Sequence, residues 1–167
     1  GVINILSGTV RAKEDETPLG RGGCLYAEGT INMYGGTVIG GYALQGGSVY
    51  IAGEGTLNLY GGEITGGKGE TGGNIYGYGG AVVNLYGGKV TNGYATLRGG
   101  NIDLRTYNEK RPALLIEKDV TVSGGVAVST GGNIYTQGVD ITANGIIENG
   151  TAVTPDGTLA NGGNIYV

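Results

Sequence analysis

Histidine, tryptophan and phenylalanine are absent from this 167-residue chain, and cysteine and methionine occur once each. Without histidine the commonest general base and neutral-pH metal ligand is missing, which excludes Ser-His-Asp and Cys-His catalysis and most zinc sites. A single cysteine excludes a disulfide framework within the chain. Cys24 reads as a small, partly buried member of a repeat, with an intermolecular disulfide as the alternative. Charged residues make up 14% of the chain, the net charge is -4 and the basic residues do not cluster, which argues against nucleic acid as a partner. No apolar run approaches the roughly 20 residues of a membrane-spanning helix, so membrane insertion by this segment is not expected. No targeting peptide is visible, and no cofactor or metal is expected.

What the chain has instead is 39 glycines and 12 tyrosines. The glycines lack collagen's every-third spacing, and apolar residues alternate with polar ones, unlike a flexible linker. So much glycine disfavours helix throughout. Its use is at corners, where positive φ and close backbone approach are needed.

The corners recur. Gly73-Asn74-Ile75-Tyr76 returns as Gly132-Asn133-Ile134-Tyr135 and Gly163-Asn164-Ile165-Tyr166, with looser copies at Gly23-Cys24-Leu25-Tyr26, Gly47-Ser48-Val49-Tyr50 and Gly100-Asn101-Ile102-Asp103, at spacings of 24 to 32 residues. A second phrase keeps the same period: Thr30-Ile31-Asn32-Met33-Tyr34, Thr56-Leu57-Asn58-Leu59-Tyr60 and Val83-Asn84-Leu85-Tyr86, each followed by two glycines. A third short apolar segment follows, as in Thr37-Val38-Ile39 and Glu63-Ile64-Thr65. A period in this range signals a solenoid or propeller. The reading is one all-β domain over residues 1–167, a parallel β-solenoid of about six coils with three short strands each, uncapped at both ends. Charged residues gather at 11–21 and 105–119, where the period lengthens, and both read as loops ejected from the wall.

Period-two alternation turns Leu57, Leu59, Ile64 and Ile75 inward and Asn58, Tyr60, Glu63, Thr65, Asn74 and Tyr76 outward. Stacking about 4.8 Å apart makes ladders of like residues. Tyr34, Tyr60 and Tyr86 form one outward stripe beside Asn32, Asn58 and Asn84. Tyr26, Tyr50, Tyr76, Tyr135 and Tyr166 form another. Both are candidate surfaces for a glycan or for lateral contact with a second solenoid, as well as sources of stacking stability.

These phrases resemble the right-handed parallel β-helix of pectate-lyase-like architecture, in particular the glycine-rich repeats of bacterial surface and adhesin-type β-solenoids. That resemblance implies right-handed coils and an extracellular or cell-surface setting, and it raises cleavage of acidic polysaccharides as a function. The nearest carriers for such chemistry are Asp103, Arg98, Arg105 and Asp140, with Asp103 in the outward tyrosine position beside Arg105. No paired-aspartate phrase of the pectinases is present, nor the repeated Asp of calcium-binding β-rolls. Asn149-Gly150-Thr151 has the form of an N-glycosylation sequon.

The segment Asn164-Ile165-Tyr166-Val167 opens a coil that Val2-Ile3-Asn4-Ile5 would continue, so these residues are the candidates for head-to-tail pairing. The expected function is a non-enzymatic structural or adhesive fibre element, self-associating head to tail. A polysaccharide-binding or polysaccharide-cleaving module is the alternative.

Overall fold

The computed structural model describes residues 1–12 and 17–167, so Lys13, Glu14, Asp15 and Glu16 of the first charged segment lie outside the described residues. The chain winds as a parallel β-solenoid with four walls, each a six-stranded parallel sheet among the described residues. Wall A stacks Val2–Ile5, Thr30–Met33, Thr56–Leu59, Val82–Leu85, Ala113–Ile116 and Asp140–Ala143. Wall B stacks Thr9–Arg11, Thr37–Ile39, Glu63–Thr65, Gly88–Thr91, Val120–Ser123 and Ile146–Glu148. Wall C stacks Leu19–Arg21, Tyr42–Gln45, Lys68–Thr71, Tyr94–Arg98, Val126–Ala127 and Thr151–Ala152. Wall D stacks Leu25–Ala27, Val49–Ile51, Ile75–Tyr78, Ile102–Arg105, Ile134–Gln137 and Ile165–Tyr166.

Four strands per coil replace the three read from the repeat. Wall C escaped the pattern because its inward residues are Ala43, Gly69, Ala95 and Ala127, all buried but too small to register as an apolar strand. The other walls fill the core with larger side chains: Ile31, Leu57, Leu59 and Leu85 from wall A, Val38, Ile64 and Val90 from wall B, Ile75, Ile102 and Leu104 from wall D.

Register is kept from coil to coil, so Ile31 stands on Leu57, Leu57 on Val83 and Val83 on Leu114. Equal spacing of like residues follows from parallel pairing, which places each residue beside its counterpart rather than beside a mirror position. Corners are built by left-handed glycines, as at Gly46, Gly72, Gly99, Gly131 and Gly162, with φ between 63° and 65°.

Asn74 does not point outward as alternation predicts: it is fully buried, as are Asn101 and Asn133. These residues precede the wall D strands, inside the bend that the left-handed glycine creates, so strand alternation does not reach them. Each amide turns into the corner and bonds to the next: Asn74 Nδ2 donates to Asn101 Oδ1 at 2.7 Å, Asn101 Nδ2 to Asn133 Oδ1 at 2.7 Å and Asn133 Nδ2 to Asn164 Oδ1 at 2.8 Å. The same oxygens accept the main-chain N–H of Gly67, Gly93, Gly125 and Gly150, so the buried amides are paired with both neighbours and backbone. Ser48 and Cys24 continue this row in the earlier coils: Ser48 Oγ donates to the Gly40 carbonyl at 2.6 Å and stands 3.3 Å from Asn74 Oδ1, and Cys24 lies beside Ser48. Burial pushes the Cys24 thiol pKa up, which makes it a poor nucleophile.

The second charged segment leaves the wall only between residues 106 and 112, because Ala113–Ile116 already belongs to wall A. There Tyr107 and Lys110 exchange main-chain hydrogen bonds of 3.1 Å around Asn108 and Glu109, both with positive φ. The Lys110 ammonium reaches back to the Glu54 carboxylate, folding the excursion against earlier coils.

Candidate functional site

The outward residue of each wall D strand follows an inward aliphatic one, so Tyr26, Tyr50, Tyr76, Asp103, Tyr135 and Tyr166 form one row by register. Tyr26 stacks on Tyr50 with ring centroids 5.2 Å apart, Tyr50 on Tyr76 at 5.4 Å and Tyr135 on Tyr166 at 5.4 Å. The row is outward but largely covered: Tyr50, Tyr76 and Tyr135 are 1%, 5% and 8% exposed, against the open stripe expected from sequence. The cover comes from the next outward row. Tyr78 leans over Tyr50 and Tyr76, at 5.9 and 6.5 Å, and Tyr107 from the excursion sets its edge on Tyr78 at 5.5 Å. From wall C, the Arg21 guanidinium lies 5.3 Å from the Tyr50 ring centre. Together Arg21, Gln45, Tyr50, Tyr76, Tyr78 and Tyr107 line a cleft of about 280 Å³.

Asp103 interrupts the tyrosines, and its geometry explains how the stack survives. Arg105, two residues on and therefore on the same face, donates from Nε to Oδ1 at 2.8 Å and from Nη2 to Oδ2 at 2.6 Å. That fork places the planar guanidinium 5.5 Å from the Tyr76 ring centre and 5.7 Å from that of Tyr135. The cation thus takes the place of the missing ring, stacked between aromatic faces as guanidinium favours. The Arg98 guanidinium also lies 4.8 Å from the Tyr135 ring centre, with Nη1 3.4 Å from the phenol oxygen.

Asp103 is completely buried, and desolvation raises its pKa against the pull of Arg105 and Arg98. Burial opposes the charge on Arg105, but Asp103 together with Tyr76 and Tyr135 outweighs it and raises the Arg105 pKa. Both carboxylate oxygens are engaged by Arg105 and the side chain is fully buried, so Asp103 is not presented to a substrate from solvent. Of the four residues considered for polysaccharide cleavage, Asp103, Arg98 and Arg105 come together. Asp140 stands on wall A opposite Ala113. Among the described residues no group of three or more His, Cys, Asp or Glu is placed to hold a metal ion.

Wall A carries the open stripe. Tyr34, Tyr60 and Tyr86 are 51%, 45% and 39% exposed and stack at 4.9 and 5.0 Å with interplanar angles of 7° and 11°. Beside them Asn32 Nδ2 donates to Asn4 Oδ1, Asn58 Nδ2 to Asn32 Oδ1 and Asn84 Nδ2 to Asn58 Oδ1, each at 2.9 Å. Rings stacked this way cover each other's faces and present edges and hydroxyls to solvent. The end-pairing candidates Val2, Ile3, Asn4 and Ile5 form the first strand of wall A, while Ile165 and Tyr166, preceded by Asn164 and followed by Val167, form the last strand of wall D.

Sequence reasoning missed Arg21, Gln45, Tyr78 and Tyr107. Tyr78 was legible, since it shares a face with Tyr76 two residues earlier. Arg21, Gln45 and Arg98 recur just before the corner glycines, a weaker signal. For Tyr107 there was none, because only the folding back of the excursion brings it to wall D. No protein-family model matches the chain, and no curated protein or solved structure matches it.

Proposed function

We propose that this chain is a non-enzymatic structural or adhesive β-solenoid of the cell surface, growing axially by adding further coils to its parallel walls. One observation carries the reading: all four walls stack parallel strand on parallel strand through six coils, with one bulge in wall C, so each coil offers the next the same kind of hydrogen-bonding edge. In such growth Val2, Ile3, Asn4 and Ile5 would stack on Asp140–Ala143 of another copy, and Tyr166 on Tyr26. The resemblance to glycine-rich surface solenoids supports the location, and the engagement of Asp103 by Arg105 supports a role other than catalysis.

Electron microscopy of the purified chain tests this. Rods many molecules long are expected, and Ile3→Lys, which puts a charge at the end of the core, should leave only single-molecule rods. Uniform single-molecule rods from the unaltered chain would overturn axial growth.

The wall D cleft favours a second reading, glycan binding, because Tyr107 is exposed and Arg21 and Gln45 supply polar groups beside aromatic rings. The wall A stripe is a poorer glycan platform than it looked from sequence, since its ring faces are taken by neighbouring tyrosines. A glycan array would separate the sites: retention lost in Tyr107→Ala but kept in Tyr60→Ala with Tyr86→Ala assigns binding to the cleft.

A further inference from the structure

Among the described residues, nothing covers the apolar side chains on the outer face of wall C. Its outward positions fall into two rows. One holds Tyr42, Lys68, Tyr94 and Val126, joined by register. The other holds Leu44 and Glu70, each two residues further along, Leu97, three further because of a bulge, and Val128, just past the end of its strand. Tyr42, Leu44, Tyr94 and Leu97 are 38%, 46%, 40% and 39% exposed. A β-bulge in Tyr94–Arg98 sets both Thr96 and Leu97 opposite Glu70, and the depression between the rows measures about 220 Å³.

Lys68 and Glu70 stand side by side at the centre of this apolar face, and neither is in an ion pair among the described residues. Opposite charges on one strand, flanked above and below by tyrosine and leucine, form a self-complementary pattern. Turning a second molecule about a two-fold axis parallel to the stack and midway between the rows exchanges one row for the other. Coil by coil, Tyr42 then faces the partner's Leu44, Lys68 the partner's Glu70, Tyr94 the partner's Leu97 and Val126 the partner's Val128. Every apolar residue meets an apolar one, and every charge its opposite, twice over by symmetry. The wall is bordered by Gly40-Gly41 and Gly66-Gly67, where no side chain obstructs approach.

We infer that wall C is an isologous interface through which two copies of this chain pair side by side with their axes pointing the same way. A partner of different chemistry would have to supply this sign pattern independently; a second copy supplies it by symmetry. The tyrosines and leucines make the contact and exclude water around the charge pairs, which set the register. This pairing does not depend on axial growth.

Sedimentation velocity of the full chain in the Ile3→Lys background removes rods from the measurement. A dimer is expected there, and K68E or E70K alone should weaken it by at least about tenfold, because like charges then face each other. The K68E/E70K exchange restores opposite charges at both contacts and should recover the dimer; Leu44→Asp should weaken it without rescue. Far-UV circular dichroism confirms that each variant keeps its strands. A monomer at all concentrations, a dimer indifferent to the single reversals, or no recovery in the double exchange would each overturn the interface. None of these results bears on whether the chain grows axially.

Discussion

Asn101 sits in a buried corner and makes four hydrogen bonds, accepting from Asn74 and Gly93 and donating to Ser123 and Asn133. Replacing it with alanine strands the buried Gly93 N–H and breaks the amide chain on both sides. Buried unpaired groups cost about 1–3 kcal/mol each, so Asn101→Ala should lose about 2–4 kcal/mol in urea denaturation. Asn58 makes the same ladder bonds on the wet outer face of wall A, where water takes over, and Asn58→Ala should lose only about 0.5–1 kcal/mol. The Asp103 and Arg105 pair gives a sharper contrast. Arg105→Met leaves the buried carboxylate without its hydrogen-bonded partner and should cost about 3–5 kcal/mol, whereas D103Y/R105L replaces the stacked guanidinium with a ring and should be near neutral or stabilising. A double exchange as destabilised as Arg105→Met alone would show that the guanidinium is needed for more than neutralising Asp103.

At the scale of the strand and its corner, glycine does two separate jobs. Gly100 lacks a left-handed φ, yet a β-carbon there would be driven into the Gly132 carbonyl oxygen and the Val126 main-chain nitrogen of the next coil. Gly40 has φ of 74° but open space around it. Gly40→Ala therefore adds only left-handed strain, about 1–2 kcal/mol. Gly100→Ala should cost more, because backbone must move in two coils at once. Thermal melting of the two variants checks the order. This also explains why the corner phrase is so constant in the sequence: the second glycine of the pair is fixed by how closely coils approach, a requirement that repeats with every turn of the stack.

For the whole molecule, the covered tyrosines of wall D make stability depend on alkaline pH. Burial raises the pKa of Tyr50 and Tyr76, so both stay neutral in the folded chain at pH values where they would ionise when unfolded. Their contribution is complete below the ordinary tyrosine value of about 10 and is lost as pH rises through their higher folded values. Urea midpoints should fall steadily above about pH 10. Tyr50→Phe should flatten that fall, and an unchanged slope would mean that Tyr50 ionises freely in the folded chain. Seen at this scale, wall C and wall A present the exposed apolar rows, while wall D keeps its aromatic rings under Tyr78, Tyr107 and the arginines.

The sequence by itself determined the parallel stack, its period and its core, because Leu57, Ile64 and Ile75 alternate with polar neighbours at a constant spacing and parallel pairing converts equal spacing into ladders. It also placed Asp103 and Arg105 on one face, a consequence of their separation by two. Tertiary structure alone decided which way Asn74 turns, since its direction is set by the left-handed bend at Gly72 and not by strand alternation. It decided the existence of wall C, whose inward alanines and glycine carry too little hydrophobic signal to be seen until the coil closes around them. It decided, too, that Tyr107 returns to Tyr78 of wall D and Lys110 to Glu54, contacts between residues far apart in the chain that no local pattern encodes.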